Sequence, residues 1–172
     1  MNKAVFLDRD GTIIIDKVYL NDPTQIEYLP KAIEGLKKMC DLGYKLVVVT
    51  NQSGVARGIV SLENLHKIHE IIRNDLSKHN IEIADFYYAP YSVESQHPMR
   101  KPKPGMLLLG AKEHNIETTK SFMIGDRDTD IYAGEHVGAK TILLAETSPE
   151  GCHPNLICKD LLEAADFISQ HT

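Results

Sequence analysis

An α/β fold is predicted, a Rossmann-like doubly wound parallel sheet of about five main strands, and three observations predict it. Short apolar runs of strand length recur along the chain. Segments with helical spacing separate them, and the polar residues best suited to chemistry follow the apolar runs directly. Strands alternating with helices give parallel pairing with right-handed crossovers, and ligands then bind beyond the carboxyl ends of the strands.

The first run, Ala4-Val5-Phe6-Leu7, suits a buried strand and is far too short to cross a membrane. It leads straight into Asp8-Arg9-Asp10-Gly11-Thr12. In extended backbone, residues two apart point the same way, so Asp8 and Asp10 can present their carboxylates to one small volume. Two like charges held together need a positive neighbour. Mg²⁺ is the natural candidate, because it takes oxygen ligands and shares its site with substrate phosphate. Read alone, Asp-Gly-Thr is also ordinary turn chemistry.

Residues 13–15 are apolar, and 16–28 read as an irregular loop with turn residues at Asn21-Asp22-Pro23. Pro30 fits the first position of a helix with Ile33, Leu36, Met39 and Cys40 on one face, closed by Gly43. Residues 45–49 form a second strand ending on Thr50, and the loop 51–58 follows. Ser61 caps a long helix reaching to about Asn80, with Leu62, Leu65, Ile68, Ile72 and Leu76 at helical spacing. His66 and His69 on it are read as surface or boundary residues. Residues 83–88 are a third strand, and the loop 89–103 carries Arg100-Lys101-Pro102-Lys103. Pro104 opens another helix, and 121–124 give a fourth strand that runs into Gly125-Asp126-Arg127-Asp128-Thr129-Asp130. A short helix ends near Gly138, 140–144 are a fifth strand, and Asp160 with Glu163 forms a capping box for the last helix.

A chain of 172 residues suits one domain, read as 1–172, with no room for a separate cap domain. The formal charge of −5 argues against general nucleic-acid binding. Three cysteines, Cys40, Cys152 and Cys158, are an odd number that suits a reducing compartment. The amino terminus shows no signal-peptide core, so a cytoplasmic protein without membrane attachment is expected.

A phosphate monoester placed at the predicted rim meets what its hydrolysis needs. Asp8 can attack phosphorus to form an aspartyl phosphate. Asp10 is placed to protonate the leaving oxygen and then to deprotonate water. Mg²⁺ on Asp8 and Asp126 would let anion meet anion, and Thr50 and Lys101 would hold the phosphoryl oxygens.

The series Asp8-x-Asp10-Gly11-Thr12, Thr50, Lys101 and Gly125-Asp126-x-x-x-Asp130 resembles the four signature motifs of the haloacid dehalogenase (HAD) superfamily of phosphohydrolases. The resemblance implies the HAD fold, with Asp8 as nucleophile, Asp10 as acid/base, and Thr50, Asn51 and Lys101 on the phosphate. It further implies a Mg²⁺ site from Asp8, Asp126 and the main-chain carbonyl of Asp10, supported by Asp130. A narrower resemblance lies in Asp8-Arg9-Asp10-Gly11-Thr12, the run from Thr50 through Asn51-Gln52-Ser53-Gly54-Val55-Ala56-Arg57-Gly58, and Arg100-Lys101-Pro102-Lys103-Pro104-Gly105-Met106. These are similar to the D-glycero-D-manno-heptose-1,7-bisphosphate 7-phosphatases, relatives of the histidinol-phosphate phosphatases.

That resemblance implies a small phosphorylated sugar substrate contacted by Ser53, Arg57 and Arg100, in heptose nucleotide biosynthesis serving lipopolysaccharide or a glycoprotein pathway. A monomer is expected, since a capless site needs no partner. Histidinol phosphate or another small phosphomonoester is the alternative substrate, and a receiver-type signalling domain that keeps its phospho-aspartate is the remote one. Many members hold zinc on the loop before Arg-Lys-Pro with Cys-x-His and Cys-x-Cys. The matching positions here are Ala89, Tyr91, His97 and Met99, so zinc is not expected.

Overall fold

The computed structural model describes all 172 residues. Six parallel strands form one sheet: β1 (Ala4–Leu7), β2 (Lys45–Asn51), β3 (Ile83–Ala89), β4 (Phe122–Gly125), β5 (Lys140–Leu144) and β6 (Leu156–Cys158), in the order β3-β2-β1-β4-β5-β6. The helices are α1 (Ala32–Asp41), α2 (Ser53–Ala56), α3 (Leu62–Ser77), α4 (Gly105–Glu113), α5 (Asp128–His136) and α6 (Leu161–Gln170). The strand order reverses at β1, which pairs with β2 on one side and β4 on the other. Such a reversal opens a crevice at the carboxyl ends of the central strands. Loops, the helical turn α2 and the first turn of α5 border that rim; there is no separate cap domain. No helix is long and apolar enough to cross a membrane.

The strands read as unbroken apolar runs because both faces are covered. Val5 and Leu7 of β1, Leu46 and Val48 of β2, and Phe122 and Ile124 of β4 pack with Leu36, Ile68, Ile72 and Ile168 from α1, α3 and α6. Ala4, Phe6, Val47, Val49 and Met123 point the other way, against Met106 and Leu107 of α4 and Ala133 of α5. The alternation has the period of two that a strand imposes. It aims the residues just past each strand into the same crevice.

Several elements differ from the sequence reading. The sheet has six strands where about five were expected. The short β6 was missed because three residues carry almost no periodic signal, and its docking is non-local: the Thr141 amide donates to Asn155 Oδ1 at 2.8 Å, and the Asn155 amide donates to the Thr141 carbonyl at 2.9 Å. Pro30 lies outside α1, because the chain first turns through a left-handed Lys31 (φ 66°). The loop 51–58 contains the helical turn α2. At α6, Asp160 Oδ1 accepts from the Glu163 amide at 2.9 Å as expected, but the Glu163 carboxylate caps the Lys159 amide instead of returning to Asp160.

Gly35 lets α1 approach α6 so closely that a Cβ there would fall 2.4 Å from the main-chain carbonyl of Leu161. Gly35→Ala must push the two helices apart, an overpacking cost of about 1–3 kcal/mol. Urea unfolding should register it as an earlier midpoint with unchanged slope. An unchanged midpoint would show that the helices separate freely.

Candidate active site

A cleft of about 390 Å³ opens at the carboxyl end of the sheet, walled by Asp8, Asp10, Asn51, Ser53, Arg100, Lys101 and Asp130 among others. These residues end β2, follow β1, β2 and β4, or lie in the loop after β3. The convergence at one rim expected from strand-end placement is therefore present.

At the floor is the ammonium of Lys101, a side chain only 2% exposed. It donates to Asp8 Oδ1 at 3.0 Å, Asp130 Oδ1 at 2.6 Å and the Val49 carbonyl at 2.7 Å. Three N–H groups meet three acceptors, so the buried charge is fully partnered. Burial alone would lower its pKa, but the Asp130 and Asp8 carboxylates outweigh that and hold it above the usual lysine range. Asn51 fixes the backbone of this lysine to the end of β2. Its Oδ1 accepts from the Lys101 amide and its Nδ2 donates to the Lys101 carbonyl, both at 3.0 Å. The second oxygen of Asp130 accepts from the Arg127 amide at 3.1 Å, so both its oxygens are engaged.

Asp10 has a different environment. Arg9, 1% exposed, donates to Asp10 Oδ1 from Nη2 at 3.0 Å and from Nε at 3.3 Å. Gln52 Nε2 donates to Asp10 Oδ2 at 3.1 Å and to the Thr50 hydroxyl at 2.8 Å. Thr50 is thus buried behind the cleft wall with its hydroxyl already partnered. Burial raises the Asp10 pKa, Arg9 opposes that, and the Asp8 charge adds to it. Arg9 and Gln52 were not singled out from the sequence.

The reading of His69 as a surface or boundary residue is corrected. It is 6% exposed, its ring stacks on Phe86 with centroids 4.6 Å apart, and its Nε2 lies 3.0 Å from Arg9 Nη1. The signal was present: position 69 falls with Leu65, Ile68, Ile72 and Leu76 inside the buried stripe of α3. His66, by contrast, is exposed.

Asp126 is the acid without a partner cation. Its Oδ1 is buried with no hydrogen bond. Burial, then the charges of Asp8 and Asp130, push its pKa up to about 8. Oxygens of Asp8, Asp126 and Asp130 lie within 4.8 Å of one another. Gly11 closes over this group at φ +80°, where a Cβ would fall 2.1 Å from Asp126 Oδ2. An all-oxygen cluster with an orphaned carboxylate oxygen fits a hard dication.

The cationic residues predicted at the cleft are not equally placed. Arg100 lines it, and its Nη1 is buried without a partner. Burial lowers the Arg100 pKa; Glu94 opposes this, and Arg127 adds to it. Arg57 is exposed and is not in the cleft wall: its Nη1 donates to the Tyr19 hydroxyl at 2.9 Å, with the guanidinium 5.2 Å from the Tyr19 ring centre. Tyr19 does line the cleft. Asp16 and Arg127, also unforeseen there, pair at 3.5 Å.

Comparison with known proteins places the chain in a family. Residues 98–164 match the HAD-hydrolase-like family. The chain is 39% identical over 169 residues to the D-glycero-beta-D-manno-heptose-1,7-bisphosphate 7-phosphatase of Helicobacter pylori, covering 97% of each. The chain belongs to the heptose-1,7-bisphosphate 7-phosphatase family of HAD phosphatases. A D-glycero-alpha-D-manno-heptose-1,7-bisphosphate 7-phosphatase of Photorhabdus laumondii is also similar, 36% identical over 88% of this chain and 87% of its own. The crystal structure of D,D-heptose 1,7-bisphosphate phosphatase from B. bronchiseptica, complexed with magnesium and phosphate, matches with a TM-score of 0.87 at 26% identity over 99% of each chain.

The loop 89–103 is held by its own internal contacts. Tyr91 and His97 stack with ring centroids 3.9 Å apart, and His97 Nδ1 accepts from the Met99 amide at 3.1 Å. Lys103 Nζ donates to the Gln96 carbonyl at 2.7 Å. Stacking and loop hydrogen bonds thus engage Tyr91, His97 and Met99, while Ala89 ends β3.

The buried imidazole makes a pH prediction. His69 takes a proton near pH 6.5 when unfolded, whereas burial and then the Arg9 charge push its pKa down to about 3 in the fold. The folded state binds fewer protons in that window, so its contribution to stability is complete above about pH 6.5 and is lost as pH falls toward 3. At pH 5 the loss is about 2 kcal/mol. His69→Gln cannot titrate, and its unfolding free energy should drop less between pH 7 and pH 5 by about that amount. A variant with the wild-type pH dependence would show that the imidazole does not stay neutral.

Proposed function

We propose that this chain is a Mg²⁺-dependent phosphatase that removes the 7-phosphate of D-glycero-D-manno-heptose 1,7-bisphosphate, as one domain of residues 1–172, cytoplasmic and monomeric. The product would serve heptose nucleotide biosynthesis, for lipopolysaccharide or a glycoprotein pathway. One observation carries the reading: Asp8, Asp10, Lys101, Asp126 and Asp130 meet around one cleft in a chain that is 39% identical to a named 7-phosphatase over 97% of its length.

Asp8 and Asp126, with the main-chain carbonyl of Asp10, would hold Mg²⁺, and Asp130 would support the site through its bonds to Lys101 and the Arg127 amide. Bound there, Mg²⁺ supplies positive charge that offsets the repulsion between a carboxylate and a phosphate. The free oxygen of Asp8 attacks phosphorus, and the sugar oxygen departs with the proton of Asp10, leaving an aspartyl phosphate. Asp10 then takes a proton from the water that attacks this phosphorus, releasing inorganic phosphate and restoring Asp8. The raised pKa of Asp10 supports its carrying that proton. Lys101 can exchange its Asp8 contact for a phosphoryl oxygen, with Thr50 and Asn51 beside it.

Ser53 would meet the sugar. Arg100, with an unpartnered buried Nη1, suits the second phosphate, and Arg57 would act through the Tyr19 side chain it holds. The relatives' names include both anomers of the bisphosphate.

Phosphate release with Mg²⁺ from both heptose bisphosphate anomers, histidinol phosphate and several hexose phosphates tests the substrate. One anomer should lead by about a hundredfold, or about 2.7 kcal/mol of differential transition-state binding. A histidinol-led or flat profile would keep the phosphatase and move its substrate. Asp8→Asn should abolish turnover with the fold intact, and Asp10→Asn should lower kcat by about 10²–10⁴-fold. Normal phosphate release by either variant would remove that residue from its role. Protein purified without chelator should carry no stoichiometric zinc, and one equivalent would restore a zinc loop to this chain.

A further inference from the structure

We infer that His69 is a positioning residue for Asp10, acting through the Arg9 guanidinium. The inference rests on the phosphatase reading and deepens it. A guanidinium offers only donors, so the 3.0 Å contact between Arg9 Nη1 and His69 Nε2 makes the imidazole the acceptor. His69 is therefore the neutral tautomer protonated at Nδ1. The low pKa forced by burial and the Arg9 charge agrees with this.

The ring is held in place. It stacks on Phe86 at 4.6 Å with an interplanar angle of 19°, and Phe86 is in turn contacted by the Arg73 guanidinium, 5.1 Å from its ring centre. Arg73 is itself fixed by a 2.6 Å bond from Nη1 to the Ile83 carbonyl. The Arg9 guanidinium is planar and delocalised, so anchoring Nη1 on His69 sets the plane in which Nη2 and Nε meet Asp10. Nη2 also reaches Gln52 Oε1 at 3.4 Å, while Gln52 Nε2 holds the other Asp10 oxygen. Asp10 is thus gripped from two sides, and one grip begins at His69. Without that acceptor, Arg9 Nη1 keeps an unsatisfied N–H in a buried site, and the guanidinium must turn to find another partner.

The test uses leaving groups that differ in their need for a proton. The kcat/KM value covers the steps through departure of the leaving group. A sugar alkoxide needs the proton from Asp10, whereas p-nitrophenolate leaves without one. Wild type is assayed first on the heptose bisphosphate, or on whichever alkyl phosphate of the panel it hydrolyses, and on p-nitrophenyl phosphate; absence of phosphate release from all of them overturns the phosphatase reading itself.

With an active wild type, His69→Leu should lower kcat/KM for the alkyl phosphate by about 10–50-fold and for p-nitrophenyl phosphate by less than about threefold. His69→Gln, whose amide oxygen can accept from Arg9, should recover most of the loss. Equal losses on both substrates, no loss, or no difference between Gln and Leu would overturn the inference and leave the phosphatase standing. If the leucine variant does not fold, His69→Ala with added imidazole decides: recovery confined to the alkyl phosphate supports the inference, and no recovery overturns it.

Discussion

The crowding of carboxylates at the rim of the sheet is the constraint on which the rest of the site depends. Asp8, Asp10, Asp126 and Asp130 come together there, and two buried cations divide them: Lys101 takes Asp8 and Asp130, and Arg9 takes Asp10. With every carboxylate ionised, four against these two cations leave an excess of two negative charges, which one divalent cation would offset. The deficit falls on Asp126, which has an orphaned Oδ1 and a pKa raised by burial and by the Asp8 and Asp130 charges. A buried ion pair adds little to net stability, whereas a buried charge without its partner costs several kcal/mol. The cluster is therefore held together by the surrounding fold, and its all-oxygen chemistry suits the dication proposed for it.

The apolar sheet supplies that hold. β1 lies at the strand-order reversal, with β2 and β4 on either side, so the residues following all three strands share one crevice. Lys101 arrives from the loop after β3, and Asn51 at the end of β2 fixes its backbone from both the amide and the carbonyl. Each strand also buries a side chain on each sheet face in turn, which leaves the rim residues little freedom to move apart. Position in the sheet thus turns four distant stretches of chain into one site.

Much of this was legible in the sequence because its signals are local. Apolar runs bounded by Gly, Asp and Thr mark the strands, and acids or a lysine immediately beyond them mark the rim. What escaped was non-local. β6 is a three-residue edge strand whose pairing depends on Asn155 and Thr141. Arg9 reads as a spacer between two acids, and only the fold shows it buried, with partners 43 and 60 residues away at Gln52 and His69. His69 lay within a readable apolar stripe, but a polar residue on such a stripe gives no hint of its partner. Arg57 and Thr50 illustrate the converse: their motifs are plain, yet one props Tyr19 from outside the cleft and the other bonds to Gln52 behind it.

The two acids most alike in chemistry, Asp10 and Asp126, are told apart by surroundings alone. Both are raised in pKa, and in both burial is the main cause. Arg9 and Gln52 grip the carboxylate of Asp10 from defined directions, which leaves a fixed group suited to giving and regaining a proton. Asp126 has a single weak cationic influence, Arg127, and a buried oxygen with nothing to accept, an environment that stabilises the carboxylate only when a cation arrives. The assignment of acid/base and metal ligand in the proposed mechanism therefore lies less in the aspartates than in Arg9, Gln52 and the absence of any equivalent beside Asp126.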